Sequence, residues 1–519
     1  MRDSSPSQQA VTIIIVVFAI VTLVWYALFL FSPSHIGNPW AYALLVIAEA
    51  IGIFQLLGAW VTILFSRPPP LAARAHAVRR KILTLGPQRV PASVVSVFLP
   101  VAGEPLDLIR ETVMHARDMR VAHRTIILDD RASKDVCAMA QELGVEYLSR
   151  PVSDGHKAGN LNYGLQRVHT EFFAIFDSDH RAHSDFLLTI LPHLIADPRL
   201  AFVATPQYYG NRDGFISGGD AQTQDIFYRH IQYGKNAFNA AFFVGTNAVF
   251  RRSAIDDVGG FYLQSHSEDI WTSLRLHEKG WRSFFLPAVL AVGLAPETIE
   301  RLLRQQFRWA RGGFEIFFSR NPLFNRSLSL DQKLQYFHSA TFFFTGFSVV
   351  LFFLLPLLYA YLGMKPLEVP EGTGYWLAHF LPYYMMMFVA SSHLLGRIPS
   401  WRTFVVALSA FPSHIAACFS ALTGLNLRWS VTGVIRQASD HITAVTPHLI
   451  FLALSAGAIP LLLFSHSLTF MTVSMCGWLA FNSLILFFVC KQALPRFANA
   501  RLSVLEKVYR PSAAFPVSA

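Results

Sequence analysis

The chain is 519 residues long, 53% hydrophobic and only 15% charged, whereas ordinary soluble domains carry about 25% charged residues. That imbalance excludes a disordered chain, a small secreted scaffold and a purely soluble enzyme. The net charge of +10 would suggest nucleic acid on a soluble protein, but on a lipid-facing one it marks positive-inside topology, so no nucleic-acid partner is expected. Cys137, Cys418, Cys476 and Cys490 have neither paired nor metal-ligand spacing, which argues against a disulfide framework or a structural zinc site.

In chain order, apolar runs near the roughly 20 residues needed to cross a bilayer lie at 10–31, 40–65, 339–362, 376–395, 447–464 and 468–490. The first is too long and aromatic for a signal peptide and is followed by a second run, so it reads as an anchor. Residues 66–90 hold Arg67, Arg74, Arg79, Arg80, Lys81 and Arg89 without an acid, and Lys491, Arg496, Arg501, Lys507 and Arg510 follow the last run. Both belong on the cytosolic side of a plasma membrane, with 32–38, 363–375 and 465–467 outside. The apolar stretch 403–422 contains Pro412 and His414 and is flanked by Arg402 and Arg428. Counting it as a span would put the basic tail outside, so it reads as a helix at the cytosolic interface in contact with lipid. The expected plan is two spans and a basic linker (1–89), a cytosolic domain ending in interfacial helices (90–334), four spans with the interfacial helix (335–490), and a basic cytosolic tail (491–519).

Within the domain, strand-like runs at 94–101, 125–128, 145–148, 172–176, 201–204 and 242–250 alternate with helical ones at 106–119, 134–143, 160–168 and 185–195. This predicts an α/β fold, a mainly parallel sheet with helices on both faces, whose ligands bind beyond the carboxyl ends of the strands. Polar residues cluster there: Asp129 and Asp130 after the second run, Asp177 and Asp179 after the fourth, and Gly245, Thr246 and Asn247 interrupting the sixth.

Asp177 and Asp179 stand two apart in an extended segment, hence on one side, which suits a divalent cation completed by substrate phosphates; in isolation such a pair is more often a turn. Asp129 and Asp130 either cap a turn or offer a carboxylate to a nucleobase imide. His156, Lys157, Gly159, Asn160 and Asn162 open a helix whose N-terminus with its Lys is an anion site. Ser267, Glu268 and Asp269 precede the helix 270–279, either as an N-cap with favourable acids or with Asp269 as a general base. Gln305, Arg308 and Trp309 share one helical face, and Arg301, Arg304, Arg308 and Arg311 form a stripe that also suits anionic lipid.

In this order Asp130, Asp177-Ser178-Asp179, Ser267-Glu268-Asp269 and Gln305-Gln306-Phe307-Arg308-Trp309 resemble the D, DxD, TED, QxxRW series of processive family-2 glycosyltransferases of the bacterial cellulose synthase type. Residues 157–162, 205–207, 243–249 and 276–281 support the resemblance, which is strongest over 94–311. It implies a GT-A-type domain in a polytopic membrane protein of about six spans, using a UDP-sugar and Mg²⁺ or Mn²⁺ to extend a polysaccharide acceptor that passes into a membrane channel. The activity implied is polymerisation of a cellulose-like β-glucan from UDP-glucose and its translocation. A β-1,3 or mixed-linkage glucan synthase, a chitin- or hyaluronan-type synthase and a non-processive lipid-carrier transferase are the alternatives. A transporter is disfavoured, because the spans carry few ionisable residues beyond Glu49, His379 and His393.

The roles implied are Asp269, with Glu268, in catalysis and Asp177 and Asp179 as metal ligands. Glu104, Asp130, Lys157, Asn160, Asp177, Gln305 and Arg308 would bind the donor; Trp309, Gly245 and Thr246 the acceptor. Trp429, Val431, Thr432 and Arg436 fall in a stretch (428–440) that resembles the FxVTxK gating loop. Three departures stand out. Ser267 replaces the family threonine. Residues 102–105 lack the aromatic or cysteine and the Asn found before Glu-Pro, which leaves the nucleobase contact open. Val434 holds the lysine position of the gating loop, with Arg436 as the expected substitute. About 29 residues follow the last span, too few for a cyclic di-GMP-binding barrel, so such control would need another chain; a periplasmic or cell-wall accessory subunit is a compatible partner.

Overall fold

The computed structural model describes residues 6–66, 72–425, 440–465 and 469–494. Two long apolar helices, α1 (Pro6–Leu30) and α2 (Pro39–Leu64), lead into α3 (Ala72–Leu85). The domain follows as β1 (Val95–Val101), α4 (Leu106–Arg117), β2 (Arg124–Asp129), α5 (Lys134–Leu143), β3 (Glu146–Ser149), α6 (His156–Arg167), β4 (Phe172–Ile175), β5 (Arg181–Ala182), α7 (Phe186–Ala196), β6 (Leu200–Ala204), β7 (Tyr208–Tyr209), α8 (Phe215–Ile226), β8 (Ala248–Arg251), α9 (Arg252–Asp257), α10 (Glu268–Glu278), β9 (Arg282–Phe285) and β10 (Ala291–Gly293). The remainder is helical: α11 (Ile299–Ser319), α12 (Leu330–Thr341), α13 (Thr345–Leu362), α14 (Thr373–Leu395), α15 (Trp401–Ser409), α16 (Phe411–Thr423), α17 (Asp440–Ala444), α18 (Thr446–Ser465) and α19 (Phe470–Gln492).

The main sheet has seven strands in the order β3-β2-β1-β4-β8-β6-β9. Every pairing is parallel except those of β8 with β4 and with β6. All seven residues of β1 are buried, as a strand covered on both faces requires. Ile109, Val113, Val136, Met139 and Leu187 cover one face; Ala158, Leu161, Leu165, Ile255 and Leu276 cover the other. The strand order reverses between β1 and β4, and the crevice beyond their carboxyl ends is where such sheets bind ligands.

The strand expected at 242–250 survives only as Ala248–Arg251. Gly245 and Asn247 take φ of +93° and +57°, and left-handed residues cannot continue a pleated strand. A three-stranded sheet, β5-β10-β7, and a π-helical stretch at Phe227–Gln232 left no readable period in the sequence.

Among the described residues, six helices are long and apolar enough to cross a membrane: Gln9–Leu30, Pro39–Leu64, Leu330–Leu362, Trp401–Thr423, Thr446–Phe464 and Phe470–Gln492. This set includes the stretch expected at the interface and omits α14, expected as a span. α14 lies antiparallel to α1: Thr12 Oγ1 meets His393 Nε2 at 2.8 Å near one end, and Trp25 stacks on His379 at 4.4 Å near the other. Its 23 residues reach about 35 Å, with tyrosines, histidines and serines lowering its mean hydropathy. α14 also meets the domain at its C-terminal end, where His230 Nε2 lies 2.8 Å from the Leu394 carbonyl, and α15 and α16 touch the domain and α11. Ser400 Oγ donates to Gln222 Oε1 at 2.7 Å, Val405 and Val406 pack with Leu302 and Leu303, and Ala417 and Cys418 pack with Phe307, Ala310 and Phe314.

Candidate active site

At the β2 end the two aspartates divide the two readings. Asp129 is buried and holds the turn, accepting from the Arg131 amide (2.9 Å), the Ser133 amide (2.7 Å) and the Tyr147 hydroxyl (2.9 Å). Asp130 faces the crevice, ion-paired to buried Arg150 and accepting from Ser153 Oγ at 2.9 Å. Arg150 escaped the sequence reading, although it directly follows the last residue of β3, where the strand-end rule looks for ligands. Glu104, at the β1 end, turns back to accept from the Ala102 amide at 2.7 Å.

Lys157, in the first turn of α6, is the hub of the crevice. Its ammonium ion-pairs with Asp177 and donates to the Gly245 carbonyl at 2.6 Å. Burial alone would lower its pKa, but the charges of Asp177, Glu268 and Asp269 outweigh burial and hold it above the ordinary lysine value. Asn160 is buried and its Nδ2 donates to the Leu128 carbonyl at 2.7 Å, which ties α6 to β2, while its Oδ1 has no hydrogen-bond partner. Thr246 is a correction, fully buried with its hydroxyl accepting from the Asp177 amide at 2.9 Å; it braces the metal-type loop and presents no surface to an acceptor. Gly245 does line the crevice. A Cβ there would lie 3.5 Å from Asp269 Oδ2 and 4.0 Å from Lys157 Nζ, which measures how closely these groups converge.

Ligand atoms of Asp177, Asp179 and His180 lie within 4.8 Å of one another. His180 was missed, although it adjoins the pair in sequence. Its Nδ1 meets Asp179 Oδ1 at 2.8 Å while its buried Nε2 has no hydrogen-bond partner. Burial would raise the Asp179 pKa, but the neighbouring imidazole outweighs it and holds the carboxylate below its ordinary range. Two carboxylates and an imidazole suit Mg²⁺ or Mn²⁺.

Ser267 makes no side-chain cap for α10. Its hydroxyl donates instead to the Arg308 carbonyl of α11 at 3.0 Å, and a Cβ at Gly312 would collide with it. Ser267 is thus the N-cap by position without a capping hydrogen bond, Glu268 and Asp269 stand in the first turn of α10, where the helix dipole favours acids, and the serine joins that turn to α11. Burial, then the adjacent Glu268 charge, raises the Asp269 pKa to about 7. Burial also raises Glu268, with Lys157 opposing it.

On α11, Gln305 has a buried, unpartnered Oε1, Arg308 is exposed and Trp309 half-buried. The arginine stripe is weaker than its count suggests: Arg304 pairs with Glu300 and Arg311 with Glu315, each four residues apart. Trp429, Val431, Thr432 and Arg436 lie outside the described residues.

The chain is similar to known proteins. Residues 172–391 match the family described as glycosyl transferase family group 2. Cellulose synthase 1 of Komagataeibacter xylinus is 34% identical over 296 residues, 56% of this chain and 19% of that protein. The UDP-forming cellulose synthase catalytic subunit of Xanthomonas axonopodis pv. citri (strain 306) is 34% identical over 313 residues, 59% of this chain and 40% of that protein. The chain thus spans less than half the length of these relatives. A mannosyltransferase from Pyrobaculum calidifontis, solved in complex with GDP-Man and Mn²⁺, is 17% identical, covers 74% of this chain and 99% of its own, and superposes with a TM-score of 0.51. That likeness is one of fold, the GT-A type.

Proposed function

From a family-2 group glycosyltransferase domain related to bacterial cellulose synthase catalytic subunits, we propose that this membrane protein is a processive, inverting synthase of a cellulose-like β-glucan that uses UDP-glucose and passes its product outward. The observation that carries the mechanism is Asp269, a half-buried carboxylate with a pKa near 7, set against Gly245 and Lys157, the lysine that pairs with Asp177.

A base with a pKa near the working pH is well matched to proton transfer. The acceptor hydroxyl attacks the anomeric carbon on the face opposite the leaving group. The bond to the diphosphate breaks, the proton passes to Asp269, and an α-linked donor becomes a β-linked product. Lys157 and Arg308 offset the negative charge that grows on the leaving diphosphate. Asp177 and Asp179, with His180, would hold a divalent cation, which when bound neutralises the diphosphate. Asp130 and Arg150 bound the nucleoside end of the crevice, and Glu104 supports its wall. Trp309 offers a face on which the terminal sugar of the acceptor stacks. The gating role of residues 428–440 belongs to the same proposal.

The proposed topology places the domain in the cytosol, with α1, α2, α13, α14, α18 and α19 crossing and α15 with α16 along the inner interface. A partner at the outer face would meet the emerging polymer.

The test is purified protein in lipid, given a panel of UDP-sugars with Mg²⁺ or Mn²⁺, followed by product digestion with linkage-specific hydrolases. A polymer cut by a β-1,4-glucanase is expected from UDP-glucose. No UDP release from any donor would sink the reading, and a short soluble product would replace it with a non-processive transferase.

A further inference from the structure

We propose that Arg131 is the residue against which the nucleobase of the donor stacks, an inference that rests on the donor reading above. Two strand ends meet at the nucleoside end of the crevice, and neither turn offers a ring: residues 101–105 and 129–133 contain no aromatic side chain. The β1 turn is also nearly bare. Gly103, at φ +99°, has no side chain, and the Glu104 carboxylate is folded back onto the Ala102 amide. Arg131 fills that space. A Cβ at Gly103 would stand 2.8 Å from the guanidinium carbon and 2.8 Å from Nε, so the Arg131 side chain lies directly against the glycine.

The turn fixes this placement from the other side. Asp129 accepts from the amides of Arg131 and Ser133, and Ala132 between them takes the left-handed conformation at φ +50°. Charge distinguishes Arg131 from its neighbour. Asp130 is matched by Arg150, whereas Arg131 forms no ion pair among the described residues and is exposed to solvent. A planar, weakly hydrated cation next to the Asp130 pocket is suited to the flat face of a base, as guanidinium planes are in nucleotide recognition. Stacking of this kind tolerates any base, so Arg131 sets nucleotide affinity while the Asp130 region discriminates between bases.

The experiment measures equilibrium binding of UDP, and of inorganic pyrophosphate with Mn²⁺, to the full chain in lipid nanodiscs. Arg131→Ala is expected to weaken UDP about tenfold, or about 1.4 kcal/mol, with pyrophosphate within twofold. Arg131→Lys is expected to be as weak as the alanine variant, because an ammonium has no plane. Arg131→Trp is expected to recover most of the affinity. Equal UDP affinity in wild type and Arg131→Ala overturns the inference alone. So does a parallel loss of UDP and pyrophosphate that lysine rescues, since that marks a phosphate contact. Wild-type protein that binds none of UDP, GDP or ADP overturns the donor reading and this inference together.

Discussion

Two regions of the molecule bury charge, and they treat it in opposite ways. In the crevice, Lys157 feels the charges of Asp177, Glu268 and Asp269, and His180 Nε2 has no protein partner. At the junction between the domain and the membrane helices, Lys235 is buried with no acid beside it. Its ammonium donates to the Gln335 carbonyl (3.0 Å), Gln335 Oε1 (3.0 Å) and Ser339 Oγ (2.8 Å), and Gln335 in turn donates to Thr62 of α2 at 2.9 Å. A buried polar group left unmatched is costly. At the metal-type loop a ligand can complete it, and around Lys235 it is matched internally. The crevice is built to receive charge, the junction to hold helices in register.

The largest test of that contrast is Asp269→Asn. General base catalysis contributes roughly 10²–10⁴-fold, so UDP release is expected to fall about a thousandfold while UDP still binds. With a folded pKa of about 7, wild-type activity should decline as pH drops below about 7 and the carboxylate takes up a proton. Stability should move the other way. The folded state keeps a proton that the unfolded chain releases above about pH 4, so this group costs stability as pH rises from about 4 to about 7. Asp269→Asn removes that cost and should melt higher than wild type at pH 8. A lower melting temperature there would mean that the carboxylate is structural and the crevice no different from the junction. Asp177→Asn and Asp179→Asn come next, each expected to lower turnover about a hundredfold and to weaken Mn²⁺ binding measured by calorimetry.

Lys235→Met probes the junction. Burial depresses this lysine to about 7, against about 10.4 in the unfolded chain. Between those values the unfolded state binds more protons, so stability should rise with pH from about 7 to about 10. The melting temperature of wild type in nanodiscs should climb by several degrees across that window, and that of the methionine variant should stay flat. The two buried regions thus act in adjacent pH windows with opposite sign.

How far these regions could be read in advance follows from what each depends on. Buried strands such as Phe172–Ile175 announce themselves as short apolar runs, and Asp177 and Asp179 are legible because a parallel sheet exposes its strand ends on one edge. Thr246 looks like a ligand by the same rule, but its short side chain is taken by the Asp177 amide, and residue type does not say which way a side chain turns. The break at Gly245 and Asn247 is a property of φ, invisible beside an apolar run that otherwise reads as a strand. The pairing of Arg304 with Glu300 and Arg311 with Glu315 was readable from four-residue spacing and was hidden by counting cations alone. Whether α14 or the α15–α16 pair spans is not legible in the same way, since an apolar helix carries no mark of whether lipid or protein covers it.

Ser267 is where the two regions join, and its substitution is the finest test of their difference. Its hydroxyl, donating to the Arg308 carbonyl at 3.0 Å, links the N-terminal turn of α10, which carries Asp269, to the helix carrying Gln305 and Trp309. That helix packs in turn on Ala417 and Cys418 of α16. One neutral hydrogen bond contributes about 1 kcal/mol, so Ser267→Ala should lower kcat roughly fivefold, near the factor that energy corresponds to, with little change in the donor KM. Because Ser267 positions Asp269 without touching the reacting atoms, the pH profile should keep its inflection near 7. A loss as deep as that of Asp269→Asn, or an inflection shifted by a full pH unit, would place the serine in the chemistry itself and dissolve the division between a crevice that reacts and a junction that only supports it.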